Sequence, residues 1–274
     1  MTFLIQQTLV YTIPLMIVAL AGVFAERSGI INIALDGIMI FGSFVGAFSV
    51  YLMQKADMLA DNTQLMFVIA MLVSAAAGAL FSLLLSFSAI NLKADQTIGG
   101  TALNMLAPAL TLLIVKIVSM QDRLSMPKAL GFIISNPDLS EGLKPFFDKM
   151  FISTYIVIAL FIILSIFLYK TKYGLRLRAC GEHPQAADSV GINVYKMRYL
   201  GTTISGALAG LGGYIYIATI ASGTAEGTVP AVIQVHLHLL LVAVGLVQID
   251  GGDAHIDDLT CQAVAVKVVL DAGS

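Results

Sequence analysis

The chain has 274 residues, of which 58% are hydrophobic and 12% charged, with a mean hydropathy of +0.90 and a formal net charge of −2. A soluble domain carries about a quarter charged residues, so this composition excludes a soluble globular protein and defines an integral membrane protein. The basic residues are gathered in loops and form no general field, which leaves no electrostatic footprint for nucleic acid.

The N-terminal stretch through Ala25 lacks a basic n-region and stays apolar for longer than a signal peptide's core of about 7 to 15 residues, so it is predicted to remain as the first span. At about 20 apolar residues per crossing, spans are drawn at roughly 4–24, 30–52, 65–90, 97–119, 151–169 and 198–221, with a seventh apolar stretch at 231–249. The fold class is therefore all-α, a polytopic transmembrane helical bundle of about seven spans. Gly42 and Gly46, and again Gly206, Gly210 and Gly213, offer the small-residue spacing that lets membrane helices approach closely.

The second span opens ERSGIINIALDGIM. It places Asn32 and Asp36 four residues apart, hence on one helical face at membrane depth. A carboxylate at membrane depth faces a bundle interior or a wet cavity; the pair either lines a pathway or locks helices together by an internal hydrogen bond. The fourth span begins QTIGGTALNMLAPAL, with Gln96 and Asn104 as its polar groups and Gly99, Gly100 and Pro108 as points of weakness or kinking.

Residues 171–198 are polar, basic and punctuated by Gly and Pro. Lys172, Arg176, Arg178, Lys196 and Arg198, together with Lys170, face only Glu182 and Asp188, and short basic loops stay cytoplasmic. That orientation puts the 120–150 connection and the N-terminus outside. A short helix is predicted from Pro184 through Val190, ended by Gly191 in the left-handed conformation. Ala186, Ala187 and Val190 are expected on one face of it, small enough for another protein to approach, or else merely solvated.

Three segments carry a family resemblance. Gly174, Arg178, Ala179, Gly181, Pro184, Ala186, Ala187, Gly191 and Ile192 resemble the cytoplasmic coupling segment of ABC importer permeases of the branched-chain amino acid, ribose and nucleoside family. Glu26, Arg27, Ser28, Gly29, Asn32, Ile33, Gly37 and Met39 are similar to that family's motif after the first span, with Ala34 in place of Gly and Asp36 in place of Glu. Gln96, Gly99, Gly100, Asn104 and Pro108 resemble its third motif. The likeness is strongest to nucleoside or simple-sugar permeases that work with a basic-membrane-protein lipoprotein.

What the resemblance implies is a plasma-membrane, multi-pass permease subunit with no bond chemistry and no cofactor of its own. It implies ATPase-coupling roles for Arg178, Gly181, Pro184, Ala186, Ala187 and Gly191, and a translocation path past Asn32, Asp36, Gln96 and Asn104. The implied partners are an ATP-binding ABC subunit, a second related permease subunit, an extracytoplasmic substrate-binding lipoprotein and a small-molecule substrate. No G-x-x-x-x-G-K phosphate loop is present in the chain, so ATP would be hydrolysed by the partner. The rival class is a self-sufficient secondary transporter or channel that uses Asp36 as its coupling carboxylate.

From about residue 230 the chain departs from the family pattern. The expectation is a permease domain at 1–229 with its coupling loop at 171–198, followed by an atypical tail at 230–274 with one further span, the product of truncation or a shifted reading frame. His236, His238, Asp250, Asp253, His255, Asp257 and Asp258 cluster in that tail without a standard metal-ligand spacing, and Cys180 and Cys261 show no redox pairing.

Overall fold

Long apolar runs with few interior breakers form long helices, and a computed structural model of the chain describes them in residues 2–56, 63–119, 123–125, 133–134, 150–223 and 228–230. Six are long: α1 (Thr2–Arg27), α2 (Leu35–Lys55), α3 (Thr63–Ser86), α4 (Gln96–Ser119), α5 (Ile152–Lys170) and α8 (Val194–Gly223). The last five are each long and apolar enough to cross a membrane. Between α5 and α8 lie α6 (Lys172–Glu182) and α7 (Pro184–Ser189). The predicted spans match these helices to within a few residues; the stretch at 231–249 and the histidine and aspartate cluster lie outside the described residues.

α8 is the axis of the bundle and packs on α1, α2 and α3. The reason is its run of small residues. Gly210 is so close to α3 that an added Cβ would sit 2.5 Å from the Ser74 carbonyl oxygen and 3.0 Å from Gly78 Cα. Gly42 of α2 abuts Gly210, Gly213 abuts the Met39 carbonyl, and Gly212 rests on Ile17 and Val18 of α1. In lipid, where apolar side chains gain little by leaving the solvent, such close backbone approach and its van der Waals contact hold helices together. Ser74 adds a polar clasp at the same crossing, its Oγ 2.8 Å from Gly42 O and 2.6 Å from Gly210 O. Farther along, Ser86 Oγ and Thr202 Oγ1 are 2.5 Å apart.

Two features are absent from the sequence reading. α3 ends in a π-helical turn, Phe87–Asn91, closed by Leu92 N–H donating to Phe87 O; such turns are rare and frequently lie at functional sites. Two short antiparallel strand pairs also form. β1 (Arg123–Ser125) pairs with β4 (Thr228–Pro230), and β2 (Ile133–Ile134) with β3 (Met150–Phe151). β1 follows α4 and β4 follows α8, so they tie together one end of the bundle; the three motif segments meet at the other. Pro108 does not break α4, which runs unbroken from Gln96 to Ser119.

Candidate functional site

The motif end is built on the way α1 stops. Gly29 takes φ +84, which an L side chain rarely adopts, and it closes a Schellman turn in which Gly29 N–H donates to Glu26 O and Ile30 N–H to Ala25 O. Ser28, fully buried, donates to Ala25 O at 2.6 Å and fills the space left by Gly201 of α8. Gly181 of α6 lies against the Arg27 carbonyl, and Gly29 against Gly181. Side chains at these glycines would separate the two segments, so the Glu26–Gly29 turn and α6 form one packed joint. Arg27 and Glu182 approach to 4.0 Å at its exposed rim, a contact of little energetic weight there.

Past the turn the chain is irregular until Leu35, and Ala34, at the N-cap of α2, has no side-chain acceptor. The cap comes from α4 instead. Asn104 Oδ1 accepts the Gly37 N–H at 2.8 Å, an orphan donor of the first turn of α2, while Asn104 Nδ2 donates to Ile33 O at 2.9 Å. One turn and two turns earlier on the same face of α4, Gly100 makes room for Ile33 and Gln96 Oε1 accepts the Ile31 N–H at 2.8 Å. Gln96, Gly100 and Asn104 therefore clamp the break between α1 and α2.

This break corrects the expected geometry of Asn32 and Asp36. Asn32 precedes the helix, is 7% exposed, and donates from Nδ2 to Ser205 Oγ of α8 at 3.0 Å; Asn32 Oδ1 is buried without a protein partner. Asp36, in the first turn of α2, is exposed. The two do not share a face, because Gly29 ends one helix and α2 starts only at Leu35. Asp36 instead sits at the positive end of the α2 dipole, which favours a carboxylate.

Residues 171–198 depart from a plain polar loop. Thr171 caps α6 by accepting the Gly174 N–H at 3.2 Å, and Leu177 and Cys180 point inward. Burial pushes the Cys180 thiol above its ordinary range, with the Arg198 charge opposing; an enclosed, protonated thiol is a poor nucleophile. Arg178 stacks over the Tyr169 ring at 5.2 Å. Pro184 occupies the first turn of α7, and Gly191, at φ +81, ends it with the same Schellman pattern, Gly191 N–H to Asp188 O and Ile192 N–H to Ala187 O.

The expected common face of α7 does not form. Ala187 is 3% exposed and turned into the protein, whereas Val190 is 75% exposed and Ala186 is exposed. Ala186 and Val190, four residues apart, lie on the solvent side, while Ala187, about 100° round from Ala186, turns inward. Beneath α7 is a cleft of about 340 Å³ lined by Ala89 and Ile90 of the π turn, Lys93, Gln185, Asp188 and Arg198 among others. Beside Lys93, Asp95 caps α4 by accepting the Thr97 N–H at 2.7 Å, and the hydrogen bonds from Thr97 hold its carboxyl below the usual range. Among the described residues no cluster of three metal-ligating side chains occurs.

A helical bundle whose small-residue core carries at one end a pair of capped surface helices, clasped to a break between its first two spans, has the organisation of a transport permease. The chain belongs to the family described as the branched-chain amino acid transport system / permease component, which matches residues 4–248. That match continues past Val229, where the sequence reading placed the end of the likeness. The chain is 43% identical over 233 residues to the guanosine ABC transporter permease protein NupQ of Bacillus subtilis, covering 84% of this chain and 71% of that one. It is 36% identical over 230 residues to the nucleoside ABC transporter permease protein NupC of Lactococcus lactis, covering 82% and 70%. A putative glucose ABC transporter permease protein, TsgC13 of Haloferax volcanii, is 27% identical over 215 residues, covering 77% and 61%. No solved structure matches the chain. It is a multi-pass protein of the plasma membrane and an ABC transporter permease.

Proposed function

We propose that the chain is the membrane-spanning subunit of an ABC importer for nucleosides, with simple sugars as the second substrate class. The observation that carries this is the 43% identity, over most of both chains, to a permease named for guanosine. The ATP-binding subunit docks on the outward side of α7, at Ala186 and Val190, on the cytoplasmic face. A second related permease completes the pathway, and a substrate-binding lipoprotein delivers cargo from outside.

Coupling then follows a short mechanical route. Closure of the ATP-binding subunit displaces α7; the rigid joint of Gly181 with Arg27 and Gly29 passes the displacement to the break between α1 and α2; Gly201 against Ser28 passes it to α8. Asn104 and Gln96, holding that break, and Asn32, reaching α8, set how the spans follow, with Asp36 at the mouth of the path. The ligand's free energy enters as a population shift between two packings.

Ala186→Arg is expected to abolish co-purification of the ATP-binding subunit while the permease inserts normally, because a long cation replaces a methyl at the docking face. Ala187→Arg is expected to lower the amount of folded permease itself, since its methyl is enclosed. Retention of the partner by the Ala186→Arg protein would place the docking surface elsewhere.

A further inference from the structure

The outward side of α5 carries Tyr155, Ile158, Ile162, Ile166 and Tyr169, all exposed and recurring every three or four residues. That is a continuous apolar stripe about 21 Å long at the helical rise, closed at each end by a tyrosine, and it has the pattern of a surface that faces hydrocarbon. At the Tyr169 end the character changes within one turn. Lys170, Lys172 and Arg176 are exposed, and among the described residues no carboxylate lies within ion-pair distance of them. The acid of the following helix α6, Glu182, is at its far end beside Arg27.

α6 continues the pattern. Gly174, Leu177 and Cys180 face the protein, and Lys172, Leu175 and Arg176 face away. Tyr173 and Leu175 are 55% and 62% exposed, although an exposed tyrosine and leucine among three lysine and arginine side chains gain nothing from water. An aromatic ring at headgroup depth, an apolar side chain dipping below it and cations above suit an interfacial helix. Arg178 stacks on Tyr169 but lies on the other side, in a cleft with Glu26 and Glu182.

We infer that the start of α6, with Tyr169, Lys170, Lys172, Tyr173, Leu175 and Arg176, lies in the lipid headgroup layer and binds anionic phospholipid headgroups. Charge complementarity selects the occupant: the patch is all cationic, it continues a stripe that faces hydrocarbon, and the neighbouring α7 presents Gln185, Ala186, Asp188 and Val190 with no cation. The inference rests on the membrane reading of α5 and is independent of which substrate is carried. Its consequence is a division of labour, with α6 anchored to lipid while α7 is left to respond to a partner.

The chain contains no tryptophan, so Tyr173→Trp in the full-length protein introduces a lone reporter. The variant is reconstituted into vesicles of phosphatidylcholine mixed with phosphatidylglycerol, with bromine on the acyl chains of one lipid or the other. Brominated phosphatidylglycerol is expected to quench the indole more strongly than the same fraction of brominated phosphatidylcholine. Each cation near an anionic surface strengthens the attraction about fivefold, so Lys170→Gln, Lys172→Gln and Arg176→Gln together should erase the preference while quenching by phosphatidylcholine persists. High salt should erase it in the protein without those changes, which keeps the test independent of how the triple variant folds. Equal quenching by the two lipids, or a preference that survives high salt, would overturn headgroup recognition. Absence of quenching by either lipid, or its loss when the ATP-binding subunit is added, would show the surface to be covered by protein and overturn the inference as well.

Discussion

Gly210→Ala is expected to be among the most damaging single substitutions in the protein. In an isolated helix the change would help by about 1 kcal/mol through helix propensity. Here the added methyl meets the Ser74 carbonyl and the Gly78 backbone, atoms that cannot rotate away, and overpacking of this kind costs about 1–3 kcal/mol or more. The clash wins, because α8 must be pushed off α3 along the crossing that also carries the Ser74 clasp. Gly22→Ala is the control, since its nearest neighbour is the end of the Leu35 side chain at 3.5 Å. Melting of the two variants in detergent should show a large loss for Gly210→Ala and almost none for Gly22→Ala; equal melting temperatures would contradict the packing described for α8.

Asn104→Leu is expected to have the second large effect, on transport more than on insertion. Leucine inserts readily, yet it leaves the Gly37 N–H and the Ile33 carbonyl without partners, a penalty of roughly 1–3 kcal/mol at a half-buried site. More than stability is at stake, because those two bonds fix the start of α2 relative to α4. Asn104→Asp keeps the acceptor and places its charge at the favourable end of the α2 dipole, but turns the bond to Ile33 O into an oxygen–oxygen repulsion. Uptake should therefore fall steeply in the leucine variant and partly survive in the aspartate variant. Full uptake with leucine at normal protein levels would remove Asn104 from any part in the conformational cycle.

These two sites also show what the sequence could and could not disclose. The Gly42/Gly46 and Gly206/Gly210 spacings were legible because small residues at four-residue intervals have one dominant use in membranes, and the structure sets Gly42 against Gly210 and Gly206 against Gly78 and Ser82. The end of α7 was legible because Pro184 and Gly191 are local signals that need no tertiary context. The cap of α2 was not, since Ala34 offers no acceptor and the one used belongs to Asn104, a residue distant in the chain. Without that knowledge the second span was drawn from residue 30, which put Asn32 and Asp36 on one helical face; the turn at Gly29 moves Asn32 off the helix. Ala187 was misplaced for a related reason: on a helix of six residues, which side faces inward is set by what it packs against, here α6 and α8, and spacing does not reveal that.

The claim most in need of a direct test is that transport by this chain is driven by a partner's ATP hydrolysis and not by an ion gradient acting through Asp36. Proteoliposomes containing the permease assembled with its ATP-binding subunit and the second permease would be loaded with ATP or left empty, and labelled guanosine uptake measured in the presence of the binding protein. Uptake is expected to require internal ATP, to be competed by other nucleosides, and to disappear when the ATP-binding subunit is omitted. Uptake by the chain alone, driven by a proton or sodium gradient and abolished by Asp36→Asn, would contradict the claim.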